Sequence, residues 1–375
     1  MMIARHVRKL AGYVPGEQPK SKKVVKLNTN ENAYPPSPKC AEVLAKFDPD
    51  RLRRYCDPDC TALREALAEL NHTTSDRVFI GNGSDEILAL CAKAFVENDE
   101  AIGSLDPSYS LYKTLAAIRD VKWVGVSDLR PSTSDLRPPT TLFLLTNPNA
   151  PTGEWREPAE IAAFAKKFKG VVLVDEAYGD FARGNCMALA TAEKNRNILV
   201  MRTFSKSFSL AGLRVGYCVG PKALIDALVK IKDSYNVDAI AQSVALAAVE
   251  DIAWMKANVA KIVDTRRRFT AELEKRGWNV IPSESNFVFA KPPCESSSPA
   301  TKRGATAADK PAALPSCAGP LAAKKAAAIF EALKAKNIFV RYFPGPKTGE
   351  RRRITVGTPA QMKKLLAALD EIVKS

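Results

Sequence analysis

The sequence predicts an α/β protein with a large domain built on a mostly parallel sheet and a smaller α+β domain. Between residues 50 and 264, short apolar runs bounded by turn residues alternate with helical patterns, which is typical of parallel strands buried on both faces of a sheet. From about residue 265 the order of elements changes. We therefore expect residues 50–264 to form the large domain, and residues 26–49 and 265–375 to form the small one.

The elements of the large domain follow from these runs in chain order. A short continuous apolar run suits a buried strand, and a longer amphipathic segment suits a helix. The predicted strands are residues 78–80, 101–105, 141–145, 171–174 and 198–201. The predicted helices between them include residues 86–95, 158–169 and 221–232. In an open sheet of this kind, active-site groups gather at the carboxyl ends of the strands.

The small domain is predicted from a second series of patterns. Its elements are a helix at 266–276, a strand at 286–289, a helix at 324–336, strands at 338–340 and 353–356, and a last helix from about Pro359. Residues 291–323 are dominated by Pro, Ser, Ala, Lys and Gly, which predicts an exposed insertion. Residues 1–25 are expected to form an irregular N-terminal arm.

Composition and charge argue against nucleic-acid-binding, membrane-spanning and metal-binding classes of protein. The net charge of +15 comes from 56 basic and 41 acidic residues that are spread along the chain, so we expect a solvated basic surface and no nucleic-acid partner. No apolar run approaches the ~20 residues that span a bilayer, and no signal-type apolar region follows the basic N-terminus. Eight cysteines without a CxxC pair, and only two histidines, predict reduced thiols in the cytoplasm and no metal site.

Five polar motifs follow predicted strands. They lie at residues 81–86, 106–112, 146–153, 175–178 and 202–217. In the motif at 202–217, Lys206 lies among hydroxyl residues and is followed by Arg214. Hydroxyl and guanidinium groups bind phosphate, so this pattern indicates a lysine beside a bound phosphate group. A lysine joined through a Schiff base to a phosphorylated cofactor indicates pyridoxal phosphate. The flanking Phe204 and Phe208 predict partial burial, which would lower the pKa of the amine.

The other motifs have two interpretations each. Asp175 ends a buried strand and needs a cationic partner such as a protonated pyridine nitrogen, although it could instead cap a helix. Ser84 and Asp85 either offer helix N–H groups to a phosphate or cap that helix. Tyr109 either stacks on a cofactor ring or is a half-buried loop residue. Residues 146–153 form either a plain turn or a rigid binding turn, and their density of polar residues and prolines favours the binding turn.

Together, the Lys206 segment, residues 175–178 and residues 353–358 resemble the fold-type I pyridoxal-phosphate-dependent aminotransferases of class II, and among them the histidinol-phosphate aminotransferases. The resemblance covers nearly the whole chain outside residues 291–323. It implies that pyridoxal 5'-phosphate is the cofactor. It also implies a ping-pong transfer of the amino group between glutamate/2-oxoglutarate and histidinol phosphate/imidazole-acetol phosphate, in histidine biosynthesis.

The resemblance implies a role for each matched residue. Lys206 carries the cofactor and moves the α-proton, Asp175 pairs with the ring nitrogen, and Tyr178 bonds the ring hydroxyl. Tyr109 stacks on the ring. The cofactor phosphate is implied to be held by Ser84, Asp85, Thr203, Ser205 and Arg214, and by Tyr55 from the neighbouring subunit of a homodimer. The family's ring-oxygen asparagine falls at Ala150 here, so the adjacent Asn149 is the candidate for that contact.

Substrate recognition is implied by four further positions. They are Tyr13, Asn32, Arg341 and Arg353. Guanidinium groups suit both phosphate and carboxylate, which fits an enzyme that binds a phosphate ester and glutamate in turn. Arg351 and Arg352, by contrast, are expected to form a solvated charge run.

Three other functions share parts of this pattern. Aromatic amino-acid aminotransferases share the cofactor residues, and threonine-phosphate decarboxylases use a similar frame and a phosphorylated substrate. A cofactor-sensing transcription regulator would need an N-terminal DNA-binding domain, for which residues 1–25 are too short. Arg341, Arg353 and Tyr13 favour the histidinol-phosphate activity.

Overall fold

The computed structural model describes residues 2–12, 14–21, 23–130, 136–293 and 319–374. Within them, the helices are α1 (Arg5–Lys9), α2 (Pro38–Lys46), α3 (Thr61–Leu70), α4 (Ser84–Ala94), α5 (Leu111–Ile118), α6 (Pro158–Lys167), α7 (Met187–Thr191), α8 (Lys222–Ile231), α9 (Ala239–Val249), α10 (Ile252–Lys275), α11 (Pro320–Ala335) and α12 (Pro359–Lys374). The strands are β1 (Val25–Lys26), β2 (Val78–Gly81), β3 (Ala101–Leu105), β4 (Lys122–Val126), β5 (Thr140–Thr146), β6 (Val171–Asp175), β7 (Ile198–Thr203), β8 (Gly216–Val219), β9 (Asn279–Ile281), β10 (Phe287–Lys291), β11 (Ile338–Phe339), β12 (Arg341–Tyr342) and β13 (Arg352–Thr355).

The central sheet has the strand order β2-β8-β7-β6-β5-β3-β4. Only β8 runs antiparallel to its neighbours, β2 and β7, and the remaining pairs are parallel. The mostly parallel sheet and its five predicted strands are therefore confirmed. Two strands were not predicted: β8, which directly follows the lysine motif, and β4, an edge strand without a continuous apolar run. Because β2 to β7 point the same way, their carboxyl ends share one edge, as the sequence indicated.

Apolar side chains cover both faces of this sheet. On β5, Phe143 and Leu145 belong to one core cluster, whereas Leu142 and Leu144 belong to a second cluster on the opposite face. Helices α3, α6 and α9 cover the first face, and α4, α5 and α8 cover the second. Burying each such side chain contributes about 1.5–3 kcal/mol, so the edge that carries the polar motifs rests on a rigid support.

The second region is built on an antiparallel sheet of order β12-β13-β10-β9, with a separate parallel pair of β1 and β11. Val25, Phe269, Ile338 and Ile354 share one core there, so the chain before residue 28 packs with the C-terminal third. Helix α2 packs instead on α9. The assignment of residues 26–49 to the small domain stays a prediction.

Three predicted segments have different boundaries in the structure: a helix, the N-terminal arm and the insertion. The helix predicted at 266–276 is the end of the longer α10, and the arm predicted as irregular contains α1. In α1, Arg8 and Lys9 fall in the last turn, where positive charges interact favourably with the helix dipole. Most of the predicted insertion, residues 294–318, lies outside the described residues, and α11 begins at Pro320. No helix in the described part of the chain has the length and apolar character needed to cross a membrane.

Candidate active site

A cavity of about 1010 Å³ opens at the carboxyl edge of the central sheet. Its walls come from the ends of β3, β5, β6 and β7, from the start of α4, and from the second region at Asn28–Glu31 and Arg341–Arg353. The sequence-predicted residues that line it are Ser84, Asp85, Tyr109, Asp175, Tyr178, Thr203, Ser205, Lys206, Arg214, Arg341 and Arg353. The fold therefore brings together residues that are up to 269 positions apart in the chain, from Ser84 to Arg353.

Lys206 lies on the short loop that follows β7. Its Nζ donates a hydrogen bond to the carbonyl oxygen of Thr29 at 3.1 Å and lies 5.9 Å from the centre of the Tyr178 ring. Burial, assisted by the positive charge of Arg353, lowers the pKa of Lys206 to about 8. An amine with this pKa is partly neutral near physiological pH, so it can act as a nucleophile and as a base.

Asp175 ends β6 at the base of the cavity, with 3 % of its surface exposed. Its Oδ2 accepts a hydrogen bond from the phenol of Tyr112 at 2.8 Å, and its Oδ1 accepts one from the backbone N–H of Ala177 at 3.0 Å. Burial raises the pKa of Asp175 to about 6, although these two hydrogen bonds and Lys206 oppose the rise. A carboxylate in this position gains most from a cationic partner in the cavity.

Tyr112 is the last residue of the polar motif at 106–112, and the sequence indicated no role for it. It is fully buried, and its hydroxyl lies 2.6 Å from Thr146 Oγ1. Because the phenol proton goes to Asp175, the Thr146 hydroxyl donates to Tyr112. The chain Thr146–Tyr112–Asp175 orients the carboxylate. The sequence shows only that a second tyrosine follows Tyr109 by three residues at the start of a helix. The tertiary structure shows that this tyrosine reaches Asp175.

Tyr178 is held from the second region. Asn30 Nδ2 donates to the Tyr178 hydroxyl oxygen at 2.9 Å, and the Tyr178 ring packs edge-on against Phe287 at 5.0 Å. Asn30 has a φ of +56° and is fixed by hydrogen bonds with Thr355. The sequence motifs assigned Asn30 no role of its own, because its partner Tyr178 lies 148 residues away.

A positively charged cradle lies at the start of α4. Gly83 precedes this helix with a φ of +80°, and a Cβ there would come within 2.5 Å of Arg214 Nη2. Arg214 also donates to Ser205 Oγ at 3.3 Å and pairs with Asp85 at 3.6 Å. Gly83, not Ser84 or Asp85, occupies the cap position of the helix. Helix N–H groups, hydroxyls and a guanidinium in one place suit a phosphate.

Arg341 and Arg353 stand directly opposite each other on the antiparallel strands β12 and β13. Side chains of opposed residues lie on the same face of a sheet, and like charges in that arrangement repel. Arg341 donates to the carbonyls of Val14 and Pro15, and Arg353 donates to the carbonyl of Asn28 at 3.0 Å. Two guanidinium groups that line one cavity wall suit an anionic ligand.

Arg352 departs from the solvated charge run expected at this point in the sequence. Its side chain is fully buried and lies over the Tyr342 ring at 4.1 Å. Burial lowers the pKa of Arg352 to about 10. The expectation failed because alternate residues of β13 point to opposite faces, so Arg352 faces the protein while Arg353 faces the cavity.

Asn149 does not line the cavity. Its Nδ2 donates to the carbonyl of Pro107 at 3.1 Å and to Thr152 Oγ1 at 3.0 Å, while its Oδ1 accepts from Ser108 Oγ at 2.9 Å. Both N–H groups of the amide are thus engaged within the protein. The residue that lines the cavity at this turn is Ala150. This geometry ties two loops together and leaves Asn149 no donor for a cofactor.

Three further predicted residues lie away from the cavity wall or outside the described chain. Asn32 donates through Nδ2 to the carbonyls of Lys206 at 3.0 Å and Ser207 at 3.1 Å, so it holds the lysine loop. Tyr55 is 81 % exposed and stacks on Tyr235 with ring centres 4.3 Å apart. Tyr13 falls outside the described residues.

The donor set fits pyridoxal phosphate. A nucleophilic amine at Lys206, a buried carboxylate at Asp175 and the cradle at Arg214 would meet an aldehyde, a protonated ring nitrogen and a phosphate, respectively. The cradle depends on Gly83 and Gly216, since a Cβ at Gly216 would lie 2.7 Å from the backbone nitrogen of Ser84. This fit does not depend on Arg341 and Arg353, which line the same cavity.

Comparison with known proteins gives a consistent result. The family model "Aminotransferase class I and II" matches residues 22–369. The chain is 41 % identical over 374 residues to histidinol-phosphate aminotransferase 2 of Rhizobium meliloti (strain 1021), covering 98 % of both chains. It is 39 % identical over 376 residues to the histidinol-phosphate aminotransferase of Acetobacter pasteurianus, covering 98 % of this chain and 97 % of that one.

A solved structure agrees with these relatives. The crystal structure of histidinol-phosphate aminotransferase from Sinorhizobium meliloti in complex with pyridoxal-5'-phosphate superposes with a TM-score of 0.84 at 25 % identity. The match covers 100 % of this chain and 98 % of that one. The resemblance and the fold that the sequence motifs indicated are confirmed by these similarities.

Proposed function

We propose, because this chain belongs to the class I and II aminotransferase family, that it is a pyridoxal-phosphate-dependent histidinol-phosphate aminotransferase of histidine biosynthesis. One observation carries the choice of substrate: Arg341 and Arg353 oppose each other on the cavity wall. An anion between them would offset the repulsion of the two guanidinium groups. A phosphate ester and the carboxylate of glutamate both supply that anion.

Lys206, Asp175 and Tyr178 have different roles in the transfer of the amino group. Pyridoxal phosphate, when bound, supplies a ring that withdraws electrons from the substrate α-carbon. Lys206 Nζ takes the α-proton and returns it, a task for which a pKa of about 8 is well matched. Asp175, oriented by Tyr112, supplies a negative charge to the ring nitrogen. Tyr178, fixed by Asn30, bonds the ring oxygen without help from Asn149.

The ligand is held at its two ends. Arg214, Ser205 and the start of α4 hold the cofactor phosphate, while Tyr109 covers the ring. Arg353 and Arg341 hold the substrate anion, and the carbonyls of Val14 and Pro15 join Arg341 to the N-terminal arm. Tyr13 belongs to the same arm, so its predicted contact with the substrate remains part of this proposal.

A homodimer completes the site in this proposal. Tyr55 and Tyr235 form an exposed aromatic stack, and Leu52 is exposed nearby in sequence. Exposed aromatic residues of this kind are enriched in interfaces between subunits. In a two-fold dimer, Tyr55 of each subunit would reach the cofactor phosphate of the other. A cytoplasmic location is also proposed, and it is supported by the free thiols of the six described cysteines.

A glutamate-coupled assay tests the function. Purified protein with added pyridoxal phosphate is given 2-oxoglutarate and either histidinol phosphate or phenylalanine, and glutamate formation is followed. We expect kcat/KM for histidinol phosphate to exceed that for phenylalanine by about 10²-fold or more, because phenylalanine lacks the phosphate that the two arginines bind. Faster turnover of phenylalanine would instead identify an aromatic aminotransferase. Release of CO2 from threonine phosphate without a keto acid would identify a decarboxylase.

A further inference from the structure

A buried charge cluster lies behind the candidate site. Arg202, on β7, donates through Nε and Nη2 to Glu176 Oε2 at 3.1 and 2.9 Å, and through Nη1 to Asp180 Oδ1 at 3.0 Å. The Glu176 side chain has no exposed surface, and those of Arg202 and Asp180 are 14 % and 17 % exposed. None of the three lines the cavity, and the sequence motifs assigned them no role.

Arg202 keeps its positive charge in this cluster. Burial alone would lower the pKa of Arg202, but the carboxylates of Asp180 and Glu176 raise it above its usual range. The guanidinium is therefore permanently charged. Glu176 also accepts a hydrogen bond from the backbone of Cys186. Buried ion pairs add little net stability over apolar residues of similar size. The cluster is therefore better explained by the segment of the chain whose position it fixes.

The cluster is joined directly to the loop that carries Lys206. Ser207, which follows Lys206, donates through Oγ to Asp180 Oδ2 at 2.5 Å, and Ser207 is 2 % exposed. Asn32 Nδ2 bonds the carbonyls of Lys206 and Ser207 from another segment of the chain. Lys206 and Ser207 are thus held by three hydrogen bonds to two residues outside the loop, Asn32 and Asp180.

We propose that Asp180 and Ser207 are positioning residues that fix the main chain from which Lys206 reaches into the cavity. The inference rests on the proposed role of Lys206 and deepens it. The segment from Asp175 to Asp180 then has two tasks, since its first residue meets the cofactor ring and its last sets the lysine loop. A misplacement of about 1 Å in a reacting group can cost about 10²-fold in rate, so a single hydroxyl in this chain of contacts matters.

Ser207→Ala removes the link and leaves the ion pairs of Arg202 in place. Ser209→Ala is the matched control: Ser209 lies in the same loop and is half-buried, and its buried hydroxyl oxygen has no hydrogen-bond partner among the described residues. The first readout is the rate at which cofactor-free protein captures pyridoxal phosphate on Lys206, trapped with borohydride and measured by mass spectrometry. The second is the split between kcat and KM for glutamate, measured in steady state with imidazole-acetol phosphate as the amino acceptor.

For Ser207→Ala we expect capture on Lys206 and kcat to fall about 10-fold or more, with KM for glutamate little changed because the arginine pair is untouched. Ser209→Ala should match the wild type in both readouts. Wild-type capture and kcat in Ser207→Ala would overturn the inference, and so would equal losses in both variants. Absence of capture on Lys206 in the wild type would overturn the proposed function itself, so the two failures are distinguishable.

Asp180→Asn provides a second variant of nearly equal volume. Its amide can bond only one of Arg202 and Ser207 as an acceptor, so capture should fall in the same direction as for Ser207→Ala. Circular dichroism melts of each variant show whether it is folded. A folded Asp180→Asn protein with wild-type capture on Lys206 would refute the role of Asp180, even if Ser207→Ala failed to fold.

Discussion

The hydrogen bond from Tyr112 to Asp175 makes a quantitative prediction about pH. Tyr112→Phe removes a 2.8 Å bond to a carboxylate that is 3 % exposed and leaves the rest of the ring in place. A hydrogen bond to a charged group contributes about 1.5–3 kcal/mol, and about 1.4 kcal/mol corresponds to one pKa unit. The pKa of Asp175, about 6 in the cofactor-free protein, should therefore rise by roughly one to two units.

The sign of the effect on stability follows from proton linkage. Asp175 has a higher pKa in the folded protein than in the unfolded chain, so ionising it destabilises the fold. Below about pH 6 the carboxyl is protonated in both proteins, and Tyr112→Phe costs only the loss of neutral contacts. Above pH 6 the wild type ionises first. The destabilisation by Tyr112→Phe should then grow by about 1.5–3 kcal/mol and level off near pH 8.

Urea unfolding of cofactor-free protein between pH 5 and pH 8 measures this difference, because titrating groups common to both proteins cancel. The double variant with Asp175→Asn is the control, and in that background Tyr112→Phe should have the same effect at every pH. If the destabilisation of the single variant were constant from pH 5 to pH 8, the assignment of the Tyr112 bond to the ionised carboxylate would be refuted.

Three more predictions concern the ligands and the dimer. Lys206→Ala should lose covalent attachment of pyridoxal phosphate and lower kcat by about 10²-fold to 10⁴-fold; cofactor trapped elsewhere with full turnover would contradict it. Arg353→Lys should raise KM for histidinol phosphate more than KM for phenylalanine, because lysine cannot form a bidentate contact with phosphate; equal changes in steady-state assays would argue against that contact. Mixing inactive Lys206→Ala with Tyr55→Ala should restore about a quarter of wild-type activity if Tyr55 acts across the dimer, whereas no recovery after subunit exchange would place Tyr55 in its own subunit's site or outside the site altogether.

Much of the candidate site was accessible from local patterns. Lys206 among hydroxyl residues, and Asp175 at the end of an apolar run, each follow a strand that the sequence predicts. Parallel strands share an edge, so their end residues had to lie near one another. Local patterns do not show which partners a polar side chain takes. Asn149 has the composition of a cofactor ligand, but its amide is used by Pro107 and Thr152.

By itself, the sequence determined the alternation of strands and helices, the lysine motif and the family. The alternation of elements depends on hydrophobic periodicity and turn residues within short windows of the chain. The family was indicated by the resemblance of the Lys206 segment, residues 175–178 and residues 353–358 to known motifs. Only the tertiary structure decided that Tyr112 reaches Asp175, that Arg341 faces Arg353, and that Asp180 bonds the neighbour of Lys206. The physical reason is that these contacts depend on how distant strands, helices and loops are aligned. For Arg341 and Arg353, a one-residue shift in the pairing of their strands would turn one side chain to the opposite face of the sheet.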